Sequence, residues 1–405
     1  MNRHVYKEVL KDQGGRILLL VADGLGGIPH PEHHQKTALE AARTPHMDAL
    51  ARSSALGLTI PVARGITPGS GPAHLALFGY DPLEHEIGRG VLEAYGIGLE
   101  LQPGDVAARG NFATFDAEGR VVDRRAGRIS SEECRRLIQK LRAHIQRIED
   151  VEILLEPAKE HRFVVIFRGE GLGANLPDTD PQREGAFPIE PQGQDFKSRE
   201  TARVVRAFLK QAREVLKDEP KANGILLRGF AAKPKLEPFG KRFRLNALAL
   251  ASYPMYRGVT RLLGMDTPLD LKTFDDELAY LKDHYQAYDF VYLHFKDPDK
   301  MGEDGNFPGK VQKIEELDAH LPEILNLGFD VIAITGDHPT PCLLKSHSWH
   351  YNPFLLYTRN GAAGMDGLEA FHEKTCRQGS LGVFPSLEVM PLLLAAAGRL
   401  KKFGA

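Results

Sequence analysis

The sequence predicts an α/β protein whose core sheet is interrupted by a separate α+β domain. Three apolar runs carry the first half of that reading: residues 16–22, 289–296 and 330–334. They are strand-length and their apolar residues come in blocks, so they read as strands buried on both faces of a sheet. Asp23-Gly24 follows the first run, the acidic stretch 297–305 the second, and Gly336-Asp337-His338 the third. Open α/β sheets place their sites at the carboxyl ends of their strands. The second half comes from the stretch between about 105 and 263, where hairpins and helices mix without βα alternation. The expected organisation is one discontinuous domain, 1–104 with 264–405, and one inserted domain, 105–263.

The elements follow in order. Asp23-Gly24, taken alone, reads equally well as a turn or as a site. Thr44 reads as an N-cap with Pro45 at the first helical position. In Thr67-Pro68-Gly69-Ser70-Gly71-Pro72, small residues and prolines lead into an apolar helical stretch. Ser70 then lies near a helix N-terminus, where backbone N–H groups favour an anion such as phosphate. A serine there can serve as a nucleophile if a metal lowers its pKa, or simply as an N-cap. Residues 111–115 and 121–125 suit a hairpin turning at 116–119. Ser130 with Glu133 forms a capping box opening a helix that runs to about Ile148. Strands are expected at 163–167 and 224–228, with a polar loop at 172–188 and a helix at 201–217 between them. Residues 247–251 fit a strand or a buried helix turn. The stretch 297–305 reads as a carboxylate-rich loop holding Asp299 and Glu303. Val311, Ile314, Leu317, Leu321 and Leu325 predict a helix over 310–327, and a helical tail closes the chain at 387–400.

Composition narrows the function. With 52 basic and 54 acidic residues and a net charge of −2, no strong field favours nucleic acid or an acidic membrane. The three cysteines, Cys134, Cys342 and Cys376, are scattered, which argues for a reducing compartment rather than a disulfide framework. The N-terminus carries no signal-peptide pattern, and no apolar run approaches the ~20 residues of a membrane-spanning helix. The expectation is a cytoplasmic protein acting on a small molecule, with a homo-oligomer left open.

Separate segments offer Asp23, Ser70, Asp299, Glu303, Asp337, His338 and His347. Mixed carboxylate and imidazole donors suit Mn²⁺, Zn²⁺ or a similar divalent ion. So many donors exceed what one ion takes and suit two ions a few ångströms apart. The residues thus point to a two-metal phosphoryl-transfer enzyme with a serine nucleophile. Arginines through 105–263, among them Arg109, Arg125, Arg128, Arg162, Arg168, Arg228 and Arg257, suit bidentate recognition of phosphate and carboxylate.

Together with Thr67-Pro68-Gly69-Ser70, His74-Leu75, Gly79-Tyr80-Asp81-Pro82 and Gly88-Arg89-Gly90, several further motifs carry a family resemblance. They are Asp23-Gly24, Arg124-Arg125-Ala126-Gly127-Arg128-Ile129, Asp178-Thr179-Asp180-Pro181, Thr335-Gly336-Asp337-His338 and the terminal Lys402-Phe403-Gly404-Ala405. Over nearly its whole length the chain resembles the archaeal-type cofactor-independent phosphoglycerate mutases of the alkaline phosphatase superfamily. The resemblance implies an α/β, alkaline-phosphatase-like core sheet with helices on both faces, and an inserted α+β substrate domain closing over the cleft. It implies interconversion of 3-phosphoglycerate and 2-phosphoglycerate without 2,3-bisphosphoglycerate. On that basis Ser70 would hold the phosphoryl group, and Asp23, Asp337 and His338 would bind one ion with it. Asp299 and His347 would bind the other. Where the family has a further histidine this chain has Glu303, which favours Mn²⁺ or Mg²⁺ over Zn²⁺; Co²⁺ would also fit the set. Gly71-Pro72 stands where the family usually has an acidic residue. Arg109, Arg162 and Arg257 would hold the substrate carboxylate, with Asp180 also at the substrate.

Two other readings use the same residues. One is a metal-dependent phosphatase or phosphotransferase on another small phosphate ester, which free-phosphate release would reveal. The other is a non-catalytic metabolite-binding protein that lost an ion site through Glu303, which would hold fewer than two ions per chain.

Overall fold

Apolar segments of the expected kind build the sheets of the computed structural model, which describes residues 7–404. Ala405, the last residue of the terminal motif, lies outside the described residues. The strands are β1 (Ile17–Ala22), β2 (Ser54–Ile60), β3 (Val106–Phe115), β4 (Val121–Asp123), β5 (Arg147–Ile148), β6 (Val151–Pro157) and β7 (Arg162–Arg168). They continue with β8 (Gly224–Ala232), β9 (Ala247–Leu250), β10 (Phe290–Phe295), β11 (Val331–Thr335), β12 (Asn352–Thr358) and β13 (Gly382–Pro385). The chain separates into two units: Met1–Glu86 with Leu236–Ala405, and Ile87–Lys235.

The first unit holds a seven-stranded sheet in the order β13-β2-β12-β11-β1-β10-β9. β1 lies parallel to both β10 and β11, and β10 parallel to β9. β12 runs antiparallel to β11 and to β2. Val21 pairs with His294 on one side and with Thr335 on the other, so three strands end at one level. Leu18, Leu20, Val291, Leu293, Ile332 and Ile334 meet Leu278, Leu281, Ile314, Leu317 and Leu321 of two long helices in one core. On the opposite face, Tyr292 packs edge-on against Phe78, and Phe290 packs on Phe239. Helices therefore cover both faces, and the apolar blocks of the central strands follow from that.

The second unit is built on a six-stranded antiparallel sheet, β4-β3-β7-β6-β5 with β8 paired to β3. One face packs on the helices Ser131–His144 and Phe196–Leu216 through Leu137, Leu141, Val205 and Phe208. The expected boundaries 105 and 263 do not coincide with this division. The helix Arg89–Gly96 belongs to the second unit, because Gly90 lets it lie directly on the Ala107 backbone. β9 belongs to the first unit, because it pairs with β10, which also settles the strand-or-helix ambiguity at 247–251.

Other differences have local causes. The acidic stretch at 297–305 is not a loop: a helix spans Asp297–Glu303. Pro298 occupies its first turn beside two aspartates, which suits a helix N-terminus, and Gly305 (φ 69°) ends it. The helix expected to reach Ile148 stops at His144, and Arg147–Ile148 forms β5. The helix expected at 201 begins at Phe196, capped by Asp195 accepting from the Ser198 N–H. The closing helix is shorter than 387–400, spanning Val389–Ala396 and followed by Gly398 at φ 67°. Ser130 caps as expected by accepting from the Glu133 N–H, whereas Thr44 makes no cap bond to the backbone.

Two outcomes test this packing. A Cβ at Gly110 would fall 2.2 Å from the Phe163 ring. Gly110→Ala is expected to lower stability by about 1–3 kcal/mol through overpacking, read as a lower urea midpoint; an unchanged midpoint would refute the close fit. Glu277, on the helix Phe274–His284, is fully buried; burial outweighs Ser252 and Arg257 and pushes its pKa up to about 8 from 4.5. The folded chain thus keeps a proton that the unfolded chain releases, so stability falls as pH rises from 4.5 towards about 8. Glu277→Gln should flatten that decline in urea midpoints measured at several pH values in the window.

Candidate active site

The common carboxyl-terminal level of β10, β1 and β11 determines which side chains meet. Asp23 follows β1, Lys296 follows β10, and Asp337-His338 follow β11. The helix Asp297–Glu303 turns Asp299 inward, and Ser70 opens the helix Ser70–Leu77. Pro72 costs that helix nothing, since a first-turn N–H has no intrahelical acceptor. Asp23, Asp337 and His338 are completely buried, and Asp299 nearly so.

Ser70 Oγ lies 3.1 Å from His338 Nε2. The same nitrogen is 3.0 Å from Asp337 Oδ2 and 3.5 Å from Asp23 Oδ1. Lys296 Nζ donates to Asp23 Oδ2 at 2.9 Å and to Asp299 Oδ2 at 2.6 Å, joining the two carboxylates. Tyr256 also donates to Asp23 Oδ2. Thr340 Oγ1 donates to Asp299 Oδ1 at 2.6 Å, and the Gly24 N–H to Asp337 Oδ1 at 3.1 Å. His347 Nδ1 donates to the Pro68 carbonyl at 2.9 Å, which turns Nε2 towards Asp299 Oδ1 (3.5 Å) and Glu303 Oε1 (3.8 Å). The His338 and His347 rings stack with centroids 3.6 Å apart.

Burial alone would raise the pKa of Asp337, but His338, His74 and His294 hold it well below the usual carboxylate range. Burial and Asp337 push against the charge on Asp23, yet Lys296 and His294 keep its pKa low. Burial would discharge His338, but Asp337 and Asp23 hold its pKa up at about 9. Burial lowers that of His74 to about 4, leaving a neutral ring between the Ser70 carbonyl and the Tyr292 hydroxyl.

The donor set fits divalent ions. Donor atoms of Asp23, Asp337 and His338 lie within 4.8 Å of one another, and so do those of Asp299, His338 and His347. Asp23 Oδ1 is buried without a hydrogen-bond partner, as a free ligand atom would be. Glu303 stands outside both groups, its side chain 55% exposed at the rim beside His347. Lys296, Tyr256 and Thr340 were not anticipated as site residues. Lys296 could have been: it follows β10 as Asp23 follows β1, and register makes those positions neighbours.

Of the expected arginines, Arg109, Arg162 and Arg228 belong to the second unit. In the second unit, Arg109 pairs with Arg228 and Asn111 with Arg162, so all four side chains share the sheet face away from the helical core. Asp180 is wholly buried and takes two bonds from Arg124, at 2.8 and 2.7 Å, with Arg228 at 3.6 Å. Both of its oxygens are thus engaged in holding arginines. Arg257 lies in the first unit and donates to the Leu269 carbonyl.

Comparison with known proteins agrees with this geometry. The sequence profile described as 2,3-bisphosphoglycerate-independent phosphoglycerate mutase matches residues 51–222. A probable 2,3-bisphosphoglycerate-independent phosphoglycerate mutase of Thermus thermophilus is 52% identical over 404 residues, 99% of each chain. One from Thermotoga maritima is 51% identical over 398 residues, 98% of each chain. Among solved structures, a protein of Pyrococcus horikoshii has a TM-score of 0.82 at 30% identity, covering 97% of this chain and 100% of its own. The cofactor-independent phosphoglycerate mutase of Thermoplasma acidophilum has a TM-score of 0.71 at 30% identity, covering 95% and 100%. With half its residues shared along the full length of such relatives, the chain belongs to the 2,3-bisphosphoglycerate-independent phosphoglycerate mutases.

Proposed function

We propose that this mutase interconverts 3-phosphoglycerate and 2-phosphoglycerate through a phosphoserine on Ser70, at a site for two divalent ions. The observation that carries the reading is His338, whose Nε2 lies 3.1 Å from Ser70 Oγ and which belongs to both donor groups. Asp23, Asp337, His338 and Ser70 would hold one ion; Asp299 and His347, with Glu303 at the rim, would hold the other. When bound, such ions neutralise phosphoryl charge and favour the ionised serine. Mn²⁺ suits the carboxylate-rich set, with Mg²⁺, Co²⁺ and Zn²⁺ as alternatives.

Ser70 attacks the substrate phosphoryl group, and the departing glycerate oxygen takes up the proton. Ser70 opens its helix, so the dipoles of the N-terminal N–H groups would favour the charge of a phosphoryl group held there. Glycerate then presents its other hydroxyl, which attacks phospho-Ser70 and restores the serine. Arg109 and Arg162 suit the glycerate carboxylate, with Asp180 holding neighbouring guanidiniums in place; Arg257 completes the assignment. Exclusion of water favours return of the phosphoryl group to glycerate over hydrolysis. This chemistry places the enzyme in glycolysis and gluconeogenesis. Buried free thiols at Cys134, Cys342 and Cys376 suit the cytoplasm, and among the described residues no helix is long and apolar enough to cross a membrane.

A coupled assay with Mn²⁺ and no 2,3-bisphosphoglycerate tests the reading. Ser70→Ala should lower turnover by on the order of 10⁴-fold or more, the scale of losing a nucleophile. Intact-mass analysis of the active enzyme quenched with substrate should show one added phosphoryl group that Ser70→Ala lacks. Phosphate release without 2-phosphoglycerate would identify a phosphatase instead. Glu303→His should shift metal preference from Mn²⁺ towards Zn²⁺ in competition binding, since imidazole suits the softer ion. An unchanged preference would remove Glu303 from the ligand set.

A further inference from the structure

We infer that Lys310 is a positioning residue for the metal ligands, its ammonium tying together the loops that carry Asp23 and His338. The inference rests on the two-ion reading above. Lys310 sits near the start of the helix Phe307–Asn326 and is 1% exposed. Its Nζ donates to the carbonyls of Gly24 at 2.7 Å, Thr340 at 2.9 Å and Gly26 at 3.1 Å. An ammonium has three donors and no acceptor, and here each donor has a partner. Burial lowers the pKa of Lys310, but a neutral amine would turn a lone pair on one of those oxygens, so the three acceptors favour the charged form.

The three carbonyls belong to the two loops that present the donor atoms. Gly24 follows Asp23, and its N–H binds Asp337 Oδ1 at 3.1 Å. Thr340 lies two residues after His338; its hydroxyl contacts His338 Nδ1 at 3.1 Å and donates to Asp299 Oδ1 at 2.6 Å. The Thr340 N–H reaches the Gly24 and Gly26 carbonyls at 3.3 and 3.2 Å. The packing leaves no slack: a Cβ on Gly24 would meet Thr340 Oγ1 at 2.6 Å, and one on Gly302 would meet the Thr340 carbonyl at 2.2 Å. One side chain thus sets the spacing between ligands that follow β1 and β11 and, through Thr340, the orientation of Asp299. Metal–ligand distances tolerate only about 0.2 Å, so loosening this tie should weaken ion binding before it unfolds the chain.

The test compares full-length wild type, Lys310→Met and, as a destabilising control, Ile314→Ala, a core residue four positions further along the same helix. Each protein is stripped of metal and titrated with Mn²⁺, free ion being read by electron paramagnetic resonance. Melting temperature and the kcat and KM for 3-phosphoglycerate at saturating Mn²⁺ are measured alongside. Lys310→Met should raise the Mn²⁺ half-saturation by about 10–100-fold, the scale of losing a ligand-orienting contact, and lower kcat with KM little changed. Ile314→Ala should lower the melting temperature and leave the half-saturation near wild type. A folded Lys310→Met with wild-type Mn²⁺ affinity, or an equal affinity loss in Ile314→Ala, would overturn the inference. Wild type that binds no Mn²⁺ would overturn the two-ion reading itself, and this inference with it. If Lys310→Met does not fold, Lys310→Gln, which keeps two donors, takes its place; a weaker shift in the same direction supports the inference and none overturns it.

Discussion

Everything at the carboxyl end of the large sheet is arranged around one electrostatic constraint: three carboxylates, Asp23, Asp299 and Asp337, are buried close together. Burial and mutual repulsion both act against their charge, and ionised groups taken out of water persist only when paired and hydrogen-bonded. The chain supplies partial compensation. Lys296 joins Asp23 to Asp299, His338 is held protonated beside Asp337, and Tyr256, Thr340 and the Gly24 N–H donate into the remaining lone pairs. One carboxylate oxygen, Asp23 Oδ1, remains without a hydrogen-bond partner. Divalent cations would fill that shortfall of positive charge, which makes the same residues costly for folding and suited to phosphoryl chemistry.

The second unit has the opposite constraint. Arg109, Arg162 and Arg228 crowd one face of its sheet because the antiparallel register makes them neighbours. Asp178 and Asp180 steady Arg228, and Arg124 braces Asp180 with two parallel bonds. Burial raises the pKa of Glu93 even though Arg109, Arg162 and Arg89 favour its charge. The Asp178-Thr179-Asp180 segment therefore orients guanidiniums, with Thr179 tied to the Leu227 backbone.

Glu303 shows where this site can carry an additional carboxylate. Asp299 and Glu303 are four residues apart on one helix, which places them on the same side. Asp299 points into the protein, where a replacement would take an acceptor from Lys296 and from Thr340. Glu303 faces the rim, where water stabilises an additional carboxylate at little cost. Charge that would be prohibitive at the buried end of the cluster is tolerable at its exposed edge.

The sequence alone determined much of this protein. Blocks of apolar residues at strand length announced β1, β10 and β11, and the residues just after them, Asp23, Asp299, Asp337 and His338, were legible as site candidates because strand ends are where α/β sheets expose chemistry. The motifs around Ser70 and Asp337 carried the family resemblance. What the sequence left open was set by non-local pairing. The register of β10 on β1 placed Lys296 beside Asp23, across 273 positions of sequence. The pairing of β9 with β10 decided that 247–250 is a strand and moved the unit boundary to Lys235. The register of β3 gathered Arg109, Asn111, Arg162 and Arg228 on one face, and the fold aimed Tyr256 at Asp23 and Lys310 at three carbonyls. Periodicity and turn chemistry are encoded within a dozen residues. Which distant charge neutralises which is decided only when the sheet closes, because electrostatic partners are chosen by distance in space.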